Sequence, residues 1–362
     1  MADLPGGSGS SGRKRLSLAA IVGSPNVEVG LRAGFAVAVP LIVLLLVGRL
    51  DLAAYATFGA FTALYGRNEP YRIRVRSLTV GGGAVFLSIV AGTVVAALGE
   101  PFWLLVVLLL VVVGGGTLLV TTFQLVPPQA LFFVFALLVC AAVPTPVDEI
   151  VPRLALALAT AVFAWLLTMS GWALRRLRPQ GLTGLAWKEL ARRPRIDRGA
   201  LTDPLVWLTV GQNVAGVVIA GGIALTFGLG HVYWAVVSLV AVIPPARAAH
   251  SISRSIHRVV GTIVGVGVTA LLLFWSPPPL FLILVIVACQ VFAEILVARH
   301  YGSALVFITP MALAVSHLAT PTPLNVLVVD RVLETVLGAG VGMLLVLGAK
   351  GLERTRLLRR PI

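Results

Sequence analysis

Arg247, His250, Arg254 and then both His257 and Arg258 lie three or four residues apart as the chain enters an apolar run. On a helix that spacing sets them along one face, as a cationic stripe running into a hydrophobic phase. Arg72, Arg74 and Arg76 form a shorter version earlier in the chain. Anchoring to anionic lipid headgroups accounts for Arg247, Arg72 and Arg74. Arg76 and Arg258 differ, because each stands just before a glycine-rich start, Gly81-Gly82-Gly83 and Gly261-x-x-x-Gly265. Small residues let helices approach closely, so these two arginines are expected at a central interface, where with Arg254 they could bind an anion.

A second constellation is Gln290, Glu294 and Tyr301, in steps of four and seven on one helical face. A carboxylate inside an apolar run needs a partner, water or a proton. Glu294 is therefore expected to pair with Arg258 or Arg254, or to serve with Gln290, His257 and His300 in coupling or gating. Tyr301 and the intramembrane amide Asn213 join the candidate anion-binding set, although Asn213 and Gln212 could equally bond between helices. Arg153 and Arg331 recur at the outer mouth, and Glu334 lies three residues beyond Arg331, close enough to pair with it. His, Cys and carboxylates never adopt metal-ligand spacing, and neither a Walker loop nor a nucleophile elbow occurs. Neither a metal, a cofactor nor an enzymatic reaction is expected. Cys140 and Cys289 sit alone in apolar runs and read as packing residues.

The elements that position these side chains repeat. Tyr55 and Tyr233, Arg76 and Arg258, Gly83 and Gly265, Pro144-Thr145-Pro146 and Pro321-Thr322-Pro323, and Arg153 and Arg331 correspond at a spacing of about 180 residues. Of the 362 residues 58% are hydrophobic and 12% charged, too little polarity for a water-soluble surface. Duplicated apolar halves are a mark of transport folds with sites at the repeat interface. Spans are expected near 30–47, 51–66, 77–98, 102–120, 127–143 and 153–174, then 206–228, 231–245, 257–275, 279–297, 302–318 and 329–349. The fold class is thus an all-α integral membrane protein of about 12 helices in two parallel six-helix repeats. The second and eighth spans are short enough to be re-entrant. All but three of the 28 Lys and Arg residues fall on one side of this topology, the exceptions being Arg49, Arg153 and Arg331. The positive-inside rule makes that side, with both termini, cytoplasmic. The formal charge of +14 then reads as topology and lipid contact, not nucleic-acid binding.

This divides the chain into a lead-in at 1–28, a first membrane repeat at 29–178, a basic linker at 179–205, a second repeat at 206–350 and a basic tail at 351–362. The Gly/Ser-rich start is expected to be disordered, and Arg13 to Gly23 to lie at the interface, since no signal-peptide cleavage pattern follows.

His231-Val232-Tyr233-Trp234-Ala235, Arg258-Val259-Val260-Gly261-Thr262 with Gly265, and Glu294 followed by His300-Tyr301 resemble the core signature of the fusaric acid resistance-like proteins. Tyr65-Gly66-Arg67 through Arg76 looks like its partner repeat. That family includes bacterial aromatic acid exporters and, more distantly, plant aluminium-activated malate channels. The resemblance implies passage of small organic anions, aromatic carboxylates in exporters, across a bacterial plasma membrane. A passive anion channel and a lipid- or partner-binding protein are the alternatives. A monomer suffices in principle; a homo-oligomer or an auxiliary efflux subunit is left open.

Overall fold

A computed structural model describes residues 25–176, 192–246, 252–319 and 323–358. Arg247, His250, Pro321-Thr322, most of the lead-in and the first part of the linker, to residue 191, lie outside the described residues. Twelve α-helices occur among the described residues: α1 Pro25–Leu46, α2 Ala53–Ala60, α3 Tyr71–Ala97, α4 Phe102–Thr122, α5 Leu131–Ala142, α6 Ile150–Arg176, α7 Pro204–Thr226, α8 Tyr233–Val242, α9 Ser253–Leu273, α10 Pro279–Val297, α11 Tyr301–Ala319 and α12 Leu324–Leu358. Nine of these are long and apolar enough to cross a bilayer. The expected count of twelve spans is therefore met only in number of helices. α5 and α8 border the proline pairs Pro127-Pro128 and Pro244-Pro245, whose missing N–H groups interrupt a helix. At 12 and 10 residues they rise only about 15–18 Å, against the ~30 Å of a hydrocarbon core. α2 is extended by short 3-10 turns at Leu50–Leu52 and Phe61–Leu64.

Helix ends follow local chemistry. Asp203 caps α7 by accepting from the Leu205 N–H at 2.9 Å, with Pro204 in the first turn. Gly48 and Gly228 close α1 and α7 with φ of +70° and +63°, a left-handed turn that costs glycine nothing. The same order of elements runs through 25–176 and 204–358, and the packing pairs correspond. α2 lies on α6 as α8 lies on α12, and α3 packs on α5 and α6 as α9 packs on α11 and α12. Each half also lends helices to the other: α1 packs against α10, and α4 against α7.

The short helices form the interior. Every residue of α2 is buried, and so is every residue of α8 beyond Tyr233. A helix apolar all round belongs inside, so the longer helices form the outer wall. That wall is apolar on its outer face too, with Phe35, Trp103, Val111, Phe227, Leu271 and Leu344 all exposed, as hydrocarbon requires. The molecule is an all-helical, multi-pass membrane protein.

Candidate functional site

At the end expected to be cytoplasmic, Glu294 of α10 meets Arg67, which precedes α3. Arg67 Nη2 donates to Glu294 Oε2 at 2.5 Å and to the Glu294 carbonyl at 2.8 Å. The expected partners Arg258 and Arg254 are not those found: α10 packs on α1 and α11, which carries Glu294 toward the other half. Gln290 Nε2 reaches Glu294 Oε1 only at 3.5 Å. Arg32 of α1 faces the same group; its Nε and Nη2 are buried without hydrogen-bond partners. Neither Arg32 nor Arg67 stands out as a site in the sequence, because their partner is more than 200 residues distant.

Arg258 lies deep among α8, α9 and α11, 2% exposed. It donates to Ser238 Oγ at 3.2 Å and Tyr301 Oη at 3.4 Å. Arg254 stacks over the Tyr301 ring, 4.2 Å from its centroid, and donates to the Ala241 carbonyl at 2.6 Å. Of the candidate anion-binding residues, Arg254, Arg258 and Tyr301 are thus together; Tyr301 opens α11 after α10 has ended at Val297, so it does not share a helical face with Gln290 and Glu294 as expected. The His257 and His300 rings lie with centroids 4.8 Å apart at a tilt of 54°, and His300 Nδ1 is bonded to Ser303 rather than to Glu294. Arg76 does not match Arg258 in burial. Arg258, Gly261, Thr262, Gly265, Val266 and Thr269 are the buried phase of α9; Arg74, Ser77, Leu78, Gly81, Gly82 and Val85 are that of α3. Arg74 therefore holds the equivalent place. Arg76 is only half-buried and donates to the Pro194 carbonyl at 2.7 Å, clamping the linker to the first half. Arg192 pins the same segment to Glu69 and to the Gln124 carbonyl.

Arg153 and Arg331 are both buried near the opposite end, 6% and 1% exposed. Arg153 is well provided for. It donates to Thr145 Oγ1 at 2.7 Å and the Pro144 carbonyl at 3.0 Å, and Glu149 lies at 3.8 Å. Glu149 also holds Arg49 at 2.9 Å, and hydrogen bonds from Arg49 to Asp51 and then Glu149 push its guanidinium above its ordinary pKa. Arg331 instead lies over the Trp234 ring at 3.7 Å, a cation–π contact. Its Nε and Nη1 lack hydrogen-bond partners, and Glu334 forms no ion pair with it within 4.0 Å among the described residues. Glu334 Oε1 accepts from the His231 N–H at 2.8 Å instead. The expected Arg331–Glu334 pair is replaced by two half-satisfied groups.

Two openings line the α4–α7 seam between the halves. A cavity of about 480 Å³ lies among Leu105, Leu109, Leu138, Val217, Tyr233 and Val236, with Glu100 at its rim. Its walls are almost wholly apolar. Nearer the other end, Asn213, Thr209, Thr117, Thr121 and Gln129 line a small polar cleft. Asn213 is held by its own helix, donating to the Thr209 carbonyl at 2.9 Å, while Gln212 donates to the Leu345 carbonyl at 3.2 Å. Of the two amides, Gln212 binds between helices and Asn213 faces the seam. Between cleft and cavity stands a plug of Val113, Leu137, Val217 and Val240, each at most 2% exposed. At the other seam a side chain on Gly30 would come within 2.8 Å of the Val291 carbonyl, so α1 and α10 are in direct contact.

This arrangement defines the class, a polytopic helical membrane protein with a closed seam between halves. Within it, residues 218–345 match the model of the "Fusaric acid resistance protein-like" family, which covers Arg258, Glu294, Tyr301 and Arg331. The resemblance carried by His231 to Tyr301 is thereby shown over this stretch. A curated relative, "Uncharacterized membrane protein YvaC" of Bacillus subtilis (strain 168), is 29% identical over 122 residues, spanning 33% of this chain and 19% of that protein. The chain therefore aligns with under a fifth of the length of that relative. No solved structure matches.

Proposed function

We propose that the protein exports small organic anions, aromatic carboxylates foremost, across a bacterial plasma membrane along the α4–α7 seam. The observation that carries this reading is the 480 Å³ apolar cavity, in line with the Asn213 cleft and parted from it by a thin apolar plug. A volume in the ordinary ligand-site range with apolar walls accepts an aromatic ring, and the polar cleft beyond the plug offers hydrogen-bond partners further along the seam. Buried Arg258 and Arg331 stand behind Tyr233 and Trp234 and supply positive potential, which lowers the cost of an anion in low dielectric. The repeated packing of 25–176 and 204–358 supports two six-helix repeats sharing one orientation, with both ends and the arginine-rich loops cytoplasmic and available to anionic lipids. The close Arg67–Glu294 pair favours a structural tie for Glu294 over proton coupling, and with it passive anion flow as the second reading.

Flux of labelled benzoate from proteoliposomes tests the proposal. Wild type is expected to carry benzoate, and Arg258→Gln to lose at least about tenfold of the rate while inserting normally. Equal flux in protein-free vesicles removes the transport reading. Accumulation above equilibrium under a pH gradient separates a coupled exporter from passive flow.

A further inference from the structure

Glu334 is 0% exposed, and its Oε2 has no hydrogen-bond partner. A carboxylate so placed is costly to keep ionised without a bonded cation. The groups facing it are few. Asp330 and Arg331 come from its own helix, His231 and Tyr233 from α8 and the turn before it, and Arg258 and Tyr301 lie beyond Arg331 on α9 and α11. α7, also packed on α12, carries no titratable side chain. His231 Nδ1 and Asp330 Oδ2 are 2.7 Å apart and 18% and 14% exposed, and the His231 backbone N–H is bonded to Glu334. The partly exposed pair thus lies beside the Glu334 carboxyl, which meets it through the His231 backbone. Gly230, Val232 and Tyr233, the residues around His231, form a wall of the outer cavity. In the first half the corresponding arginine, Arg153, donates to three oxygens, has Glu149 beside it and leaves only Nε without a hydrogen bond; in the second, Arg331 Nε and Nη1 are both without partners.

We infer that Glu334 is a proton-binding site beside the His231–Asp330 pair, and that its protonation leaves the positive potential of Arg331, buried behind Trp234, to favour a carboxylate in the outer cavity. This rests on the transport reading for its substrate class. With Glu334 ionised, its charge offsets that of Arg331. A proton taken from outer water onto Oε2 removes the negative charge and leaves Arg331 and Arg258 to attract the anion; the same proton returns to water on release. Proton and anion binding then favour each other, and the linkage is reciprocal. Acid outside strengthens rebinding from that side, so export slows as external pH falls.

Calorimetric titration of benzoate into the full chain in nanodiscs reads this directly. Between about pH 8 and about pH 5.5, where benzoate stays ionised, wild type is expected to bind about tenfold tighter at the lower value and to take up protons, seen as heat that varies with the buffer's ionisation enthalpy. Glu334→Gln is expected to bind tightly at both values without proton uptake, and Glu334→Asp to restore the pH dependence. A Glu334→Gln protein that keeps the wild-type pH dependence overturns the inference. Infrared difference spectra give an arm that needs no ligand: a protonated-carboxyl band that titrates in wild type, shifts in Glu334→Asp and vanishes in Glu334→Gln is expected. Should benzoate bind to no form, the transport reading loses its substrate and the band alone decides Glu334; its absence from wild type overturns the proton site.

Discussion

Glu294 answers to more than one arginine, and that imbalance sets how its removal reads out. It bonds Arg67 and feels Arg32, which itself lies near Arg74. Glu294→Gln strands these cations in a buried place, a change of the kind that costs about 3–5 kcal/mol. Arg67→Gln leaves Glu294 with Arg32 still beside it and is expected to cost clearly less. The double variant should be closer to wild type than the sum of the two, because both members of the pair are gone. Thermal denaturation of the four detergent-solubilised proteins checks this; equal single-variant losses with strict additivity would contradict the cluster.

Among elements, the seats of the interior helices depend on close backbone approach. A side chain on Gly338 of α12 would collide with the Ala235 carbonyl of α8, whereas Gly340 has open space around it. Gly338→Val is expected to push α8 off α12, part Trp234 from Arg331 and destabilise the protein by about 1–3 kcal/mol, the ordinary scale of overpacking. Gly340→Ala should leave the melting temperature unchanged or slightly raised, since alanine is the better helix former. Apolar run lengths and proline punctuation make every one of the twelve helices legible in the sequence. They also mark the second and eighth spans as short, but not α5, because its apolar side chains continue through turns where the helical N–H to C=O ladder has already stopped. The register of the repeat is readable to within two residues at Arg76; helix phase, which aligns Arg74 with Arg258, emerges only from packing. Arg254 and Arg258 are legible together because they are four apart on one helix, whereas the place of Tyr301 beside them is not, because the helical run breaks between α10 and α11. The true arginine partner of Glu294 is not legible either, because pairing between halves leaves no local spacing to read.

At the scale of the whole molecule the two seams are built from equivalent helices but differ in filling. α1 and α10 touch through Gly30 and Gly34 against Val291, while α4 and α7 leave the apolar cavity and the polar cleft with a valine and leucine plug between them. Asn213 in the cleft and Val217 at the cavity are one turn apart on α7, so the plug is about 6 Å thick along that helix. Truncating it should connect the openings. Val113→Ala removes two methyls from a residue 0% exposed in the plug, and downhill benzoate flux is expected to rise at least about threefold at a stability cost of about 1–2 kcal/mol. Val291→Ala makes the same change in volume at the glycine seam and should leave flux at the wild-type level, because the backbones there are already in contact. The paired comparison in proteoliposomes locates the path: a rise with Val113→Ala alone places it between α4 and α7, a rise with Val291→Ala alone moves it to the α1–α10 side, and no rise in either removes the hydrophobic plug as the barrier to flow.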